Sequence, residues 1–221
     1  MRENLTELVF ILDRSGSMSG LEADTIGGFN SMIKKQQKEE GEALVSTVLF
    51  DDQCEVLHDR VEISKIKKMT EDDYYVRGCT ALLDAVGGAI HHIGNIHKYA
   101  REEDRPAKTL FIITTDGLEN ASHRYTFKDI KRMVERQKEK YNWEFLFLGA
   151  NIDAIEVAGN MGIRKERAAN FVCDATGTAV NYSVLDKAIS RVRKCKSSEM
   201  ACAFADGAWK AEIDEDYEAR K

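Results

Sequence analysis

The chain has 221 residues, a hydrophobic fraction of 43% and a formal net charge of −6. That length suits one large domain, and the apolar content is enough to build a core, which excludes a disordered chain. The acidic balance argues against non-specific nucleic-acid binding, which needs a basic face, and no apolar run reaches the roughly 18 residues a membrane helix requires.

Residues 5–12 are rich in large apolar and β-branched side chains and read as a buried strand. From Leu21 to about Glu39, Ile26, Phe29, Met32 and Ile33 recur at helical spacing, and Gly41 ends the run. Ala43–Phe50 and Cys54–Ile63 read as strands. The short Asp51-Asp52-Gln53 link joins them as a hairpin, so the second lies antiparallel at a sheet edge. Ala81 to about Arg101 is a predicted helix, with Leu82, Val86, Ile90, Ile93 and Ile96 near one face. Lys108–Thr115 is a central strand preceded by the single proline, Pro106. Phe127–Lys140 is an amphipathic, basic helix, Trp143–Gly149 a buried strand and Ile152–Asn160 a short helix. A short strand at Ala168–Val172 and a helix from Gly177 to about Lys196 complete a domain of residues 1–196. Residues 197–221 carry Glu212, Asp214, Glu215, Asp216 and Glu218 among scattered apolar residues, and read as an acidic C-terminal tail or solvated helix. Strands alternating with helices predict an α/β fold with a mainly parallel sheet.

The five cysteines, Cys54, Cys79, Cys173, Cys195 and Cys202, are odd in number and form no C-x-x-C pair. A zinc site or disulfide framework is not expected, and a reducing cytoplasm fits. The polar stretch Met1–Glu7 lacks the basic start, apolar segment and cleavage site of a signal peptide. A membrane partner is not expected either.

Three segments end apolar runs or precede helices with oxygen-bearing side chains: Asp13-Arg14-Ser15-Gly16-Ser17, Gly78-Cys79-Thr80 and Thr115-Asp116-Gly117. If the runs are neighbouring parallel strands, these tips meet at one sheet edge. In an extended stretch alternate side chains face the same way, so Asp13, Ser15 and Ser17 converge. Two carboxylates and three hydroxyls around one point make an oxygen-only site for a small hard cation, Mg²⁺. Asp13 and Asp116 supply the only negative charge. The remaining coordination position suits water or a carboxylate from another protein.

The order D-x-S-x-S, then T, then D-G resembles the metal-ion-dependent adhesion site of von Willebrand factor A domains. The resemblance spans roughly residues 5–195. It implies a Rossmann-like six-stranded sheet, mostly parallel with one antiparallel edge strand, and helices on both faces. It also implies that Asp13, Ser15, Ser17, Thr80 and Asp116 hold Mg²⁺ or Mn²⁺, some through water. The implied function is a non-enzymatic protein-binding module whose metal accepts an acidic side chain from a partner protein. The chain is most similar to stand-alone bacterial cytoplasmic members, some of which accompany stress or tellurite-resistance systems. One departure is Cys79, where many members have glycine.

Other readings use the same residues. Serine before a helix is an ordinary cap, and Asp116-Gly117 an ordinary turn. Gly16-Ser17-Met18-Ser19-Gly20 matches the hydrolase elbow G-x-S-x-G, but only one strand precedes it and no histidine is suitably placed. A Mg²⁺-dependent phosphohydrolase would want a second acid where Ser15 stands, and has no lysine beside the site. A scaffold with a vestigial site is the remaining alternative. Glu119, Asn120, Asn151 and Asp153 fall in loops at the same sheet edge and are candidate rim residues, with Asp51 and Asp52 serving the rim or the hairpin turn.

Overall fold

The computed structural model describes residues 1–221. A six-stranded sheet runs in the order β3-β2-β1-β4-β5-β6. Its strands are β1 (Arg2–Asp13), β2 (Glu42–Phe50), β3 (Cys54–Glu62), β4 (Pro106–Asp116), β5 (Glu144–Ala150) and β6 (Ala168–Asn170). All neighbours pair parallel except β2 with β3, whose hairpin closes at Phe50↔Cys54. The antiparallel strand therefore sits at the edge that the short 51–53 link predicted.

The helices are α1 (Glu22–Gln36), α2 (Leu82–Tyr99), α3 (Phe127–Tyr141), α4 (Ala154–Asn160), α5 (Ala175–Lys194) and α6 (Ala211–Arg220). Strand alternation divides the core. Leu8, Phe10 and Leu12 of β1 join one cluster with α1 and α5, while Val9 and Ile11 join a second with α2, α3 and α4. Strands buried on both faces need apolar residues at consecutive positions, which is why β1 and β4 read as unbroken apolar runs. Helix α3 opens on a capping box, in which Thr126 accepts from the Asp129 amide and Asp129 accepts from the Thr126 amide. Thr126→Ala is expected to cost about 1 kcal/mol, read as a fall in Tm of about 2–4 °C by scanning calorimetry.

Three features lie outside the sequence expectations. The connection 64–80 carries no predicted element, yet its Ile66, Met69 and Tyr74 are buried in the first core. The segment 197–221 is not solvated throughout. Met200, Phe204, Trp209 and Ile213 are buried against the same core, so only the outer face of α6 carries its acids to solvent. A third feature is a buried ion cluster. Glu7 of β1 is fully buried and accepts from Arg60 Nε at 3.0 and 3.1 Å, with His97 Nε2 at 3.2 Å. No helix is long and apolar enough to cross a membrane.

Candidate metal centre

The C-terminal ends of β1 and β4 lie side by side, with Leu12 opposite Thr114. This brings the first and third motifs into contact. The Asp13 carboxylate, 2% exposed, accepts from the Ser15 amide at 2.7 Å, the Thr115 hydroxyl at 2.6 Å and the Asp116 amide at 3.1 Å. Ser15 Oγ and Ser17 Oγ are 3.1 Å apart, and the Ser17 hydroxyl donates to the Asp116 carbonyl. Ser15 is buried, whereas Ser17 is exposed and opens the cluster to solvent.

The second motif docks on this pair through its backbone. The Gly16 amide donates to the Gly78 carbonyl at 3.2 Å, and the Arg77 amide to the Arg14 carbonyl at 3.0 Å. Gly78 has φ +67° and lies so close to Asp52 that a Cβ there would meet its carboxylate oxygen, so glycine is required. Thr80 is buried, and its amide donates to Asn120 Oδ1 at 2.9 Å while its carbonyl accepts from the Asn120 and Ala121 amides. All five predicted ligand residues therefore gather at one edge of the sheet. The Ser15–Ser17 loop does not lead straight into a helix, because a single 3-10 turn (Gly16–Met18) precedes α1, which begins at Glu22.

The donor set fits a small hard cation. Octahedral oxygens roughly 2.0–2.1 Å from Mg²⁺ lie about 2.9 Å from one another. The Ser15–Ser17 oxygen separation already approaches that spacing. Burial pushes the Asp13 carboxyl above the usual carboxylate range, and the hydrogen bonds from Ser15, Thr115 and the Asp116 amide offset this only in part. A desolvated carboxylate with no cationic side chain bonded to it is the electrostatic complement of a metal ion.

The rim residues divide. Glu119 accepts from the Leu83, Ala121 and Ser122 amides and caps α2, and Asp153 caps α4, so both are structural. Asp51 is buried and accepts from Arg14 Nε and Arg77 Nε, each at 2.8 Å, which ties the hairpin to the metal loops. Burial opposes its charge, but hydrogen bonds from Arg77, the Gln53 amide and Arg14 outweigh this and hold the carboxyl below its usual range. Arg14 itself is fully buried, although the motif treats it as a variable position.

Two residues orient Asp116: Asn151, already a candidate rim residue, and Cys173, which the sequence did not single out. Asn151 Nδ2 donates to Asp116 Oδ1 at 2.5 Å, and the Cys173 thiol donates to Asp116 Oδ2 at 3.0 Å. Burial and the adjacent carboxylate push the Cys173 thiol far up, so it stays a donor. Tyr74 also escaped notice, and its hydroxyl donates to the Asp13 carbonyl at 2.5 Å. A signal for Asn151 was present, since it follows a buried strand at the same edge. None marked Cys173 or Tyr74. Asn151→Ala is expected to weaken divalent-cation affinity by about tenfold, the usual loss for a group that orients a ligand, measured by calorimetric titration.

No protein-family model matches the chain, and no curated protein matches it in sequence. Solved structures do match in fold. The vWF domain of the type V pili tip protein Mfa5 from Porphyromonas gingivalis aligns over 86% of this chain and 96% of its own, at 12% identity and TM-score 0.60. Manganese-loaded Plasmodium vivax TRAP protein aligns over 80% of this chain and 72% of its own, at 17% identity and TM-score 0.56. Proximal thread matrix protein 1 from the mussel byssus aligns over 86% of this chain at 12% identity and TM-score 0.55. This chain spans only 46% of that protein's length. The mussel protein has also been solved with a zinc-occupied MIDAS motif.

Proposed function

We propose that this chain, whose fold is that of the von Willebrand factor A domain, is a divalent-cation-dependent protein-binding module and not an enzyme. Asp13, Ser15, Ser17, Thr80 and Asp116 would hold Mg²⁺ or Mn²⁺. Bound there, the ion would supply a positive centre that a partner's carboxylate completes. The single observation that carries this reading is the meeting of three distant motifs, with Ser15 and Ser17 oxygens 3.1 Å apart beside two buried carboxylates. The manganese in the Plasmodium neighbour and the zinc in the mussel neighbour support a metal here by fold analogy.

The residues divide the work. Asp13 offers the ion its charge, and the Ser15, Thr115 and Asp116 donors fix that carboxylate so that no reorganisation is needed on binding. Asn151 and Cys173 fix Asp116 in the same way. The neutral hydroxyls add oxygens without charge, and with one of the two carboxylates acting through water the ion would keep positive character toward an external acid. Ser17, at the solvent side, marks where that acid would arrive. A hydrolytic reading is less favoured, because Ser15 stands where a phosphohydrolase of this pattern wants a second acid. Three exposed free cysteines, Cys54, Cys79 and Cys202, favour a reducing, cytoplasmic setting.

The test is an affinity capture with the parent protein in Mg²⁺, the parent in EDTA, and Asp13→Ala in Mg²⁺. A partner retained only in the first arm is expected. A partner retained equally in all three would refute the metal-bridged contact.

A further inference from the structure

The second face of the sheet is incompletely covered. Helices α2, α3 and α4 pack over β1, β2, β4 and β5, with Val48 and Phe50 of β2 inside that cluster, but the edge strand β3 contributes nothing to it. A groove of about 450 Å³ runs there between α2 and the hairpin, within the usual size range of ligand sites. Val48 and its cross-strand partner Val56 form one wall, and Ala81, Ala85, Gly88 and Ala89 of the α2 segment form the other. Val56 is 55% exposed, which marks this apolar surface as open.

The groove starts where the metal loops end. Ala81 follows the ligand Thr80 directly, and its amide donates to the Asp51 carbonyl at 2.8 Å. Asp52, against Gly78, forms the near rim with Arg124, and the His92–Asp59 contact at 2.8 Å closes the far end. Three helical glycines, Gly27, Gly88 and Gly159, have open space where a Cβ would stand, and of these only Gly88 lines the groove. Gly88 sits inside α2, where glycine weakens a helix, yet a Cβ on it would meet nothing within 4 Å. Its neighbour Gly87 differs, because a Cβ there would strike the Tyr125 ring at 2.6 Å. Gly88 therefore keeps the groove deep without serving any contact within the chain.

We propose that this groove is the second half of the partner site and takes an extended peptide segment of the partner, resting on the metal reading above for its first half. The peptide's acidic residue sits at the metal edge, and the apolar residues beside it lie along Val48, Val56 and the small residues of α2. From Ala81 to His92 the helix advances about 16 Å, the length of about five extended residues. Charge sets the order of the peptide. The groove lining carries Asp52, Asp59 and Asp84 against Arg124 and the His92 imidazole, so a second acid is disfavoured inside and the carboxylate is confined to the metal end.

The experiment selects peptides of about seven residues from a displayed library on the parent protein in Mg²⁺, elutes with acid, and measures the synthetic peptides by calorimetry in Mg²⁺ and in EDTA. The expected peptides carry one Asp or Glu followed by apolar residues. Gly88→Leu and Val56→Asp should each weaken them by at least about tenfold while leaving Mg²⁺ affinity unchanged. Gly88→Leu should also raise Tm by about 2–3 °C, so lost binding there cannot be lost folding. Peptides that bind both variants as tightly as the parent overturn the groove and leave the metal reading standing. Peptides indifferent to EDTA but weakened by both variants support the groove and overturn the metal reading. A parent that binds Mg²⁺ yet selects no such peptide overturns the groove.

Discussion

Asp13→Ala will erase the rise in Tm that Mg²⁺ gives the parent protein. At a Mg²⁺ concentration about 100-fold above its dissociation constant, binding to the folded state alone stabilises by about 2.7 kcal/mol. For a domain of this size that corresponds to about 5–10 °C. The substitution removes the one carboxylate on which Ser15, Thr115 and Asp116 all converge. It also lowers the baseline. Two buried amides and a hydroxyl lose their acceptor, at about 1–3 kcal/mol for a group left unpaired, and removal of a desolvated charge offsets part of that. Each protein must therefore be compared with itself in EDTA. Ser19→Ala is the control, since Ser19 is exposed and lies outside the cluster, and it should keep the full shift. Equal shifts in Asp13→Ala and the parent would remove Asp13 from the site.

The parts of this arrangement that were legible in the sequence are those governed by short-range rules. The Asp51-Asp52-Gln53 link was enough to place an antiparallel strand at the β3 edge. The alternation of strand and helix was enough for the parallel sheet, and that sheet brings residues 13–17, 78–80 and 115–117 to one edge. What was not legible depends on side chains meeting across the fold. Cys173 and Asn151 reach Asp116 only because β5 and the turn after β6 lie beside β4. Arg14 looked like a spacer between Asp13 and Ser15, yet its partner Asp51 is 37 positions away. Glu119 looked like a rim acid because its loop lies at the right edge. Its carboxylate is instead consumed by amides of its own loop and of α2. Loop position predicts proximity, but hydrogen-bond accounting decides which groups are free to act.

In residues 197–221 the acids hide four well-placed apolar residues, Met200, Phe204, Trp209 and Ile213, which dock the segment on the core. Phe204→Ala tests that docking. Phe204 is fully buried and meets Trp209 edge-on at 6.0 Å, while Trp209 Nε1 donates to the Glu166 carbonyl at 2.7 Å. Truncating a buried phenylalanine costs about 3–5 kcal/mol, or roughly 10 °C or more in Tm for this length. In urea the midpoint should fall with little change in slope, because the same surface is still exposed on unfolding. A solvated appendage would instead shift stability by no more than about 0.5 kcal/mol. The two substitutions also separate from each other. The loops that carry Asp13, Ser15, Ser17, Thr80 and Asp116 make their hydrogen bonds without Phe204, so Phe204→Ala should lose stability and keep the Mg²⁺-dependent rise, whereas Asp13→Ala should lose that rise. A Phe204→Ala protein that had also lost its response to Mg²⁺ would mean the tail supports the metal edge, through the ion pair of Arg220 with Asp174 beside Cys173.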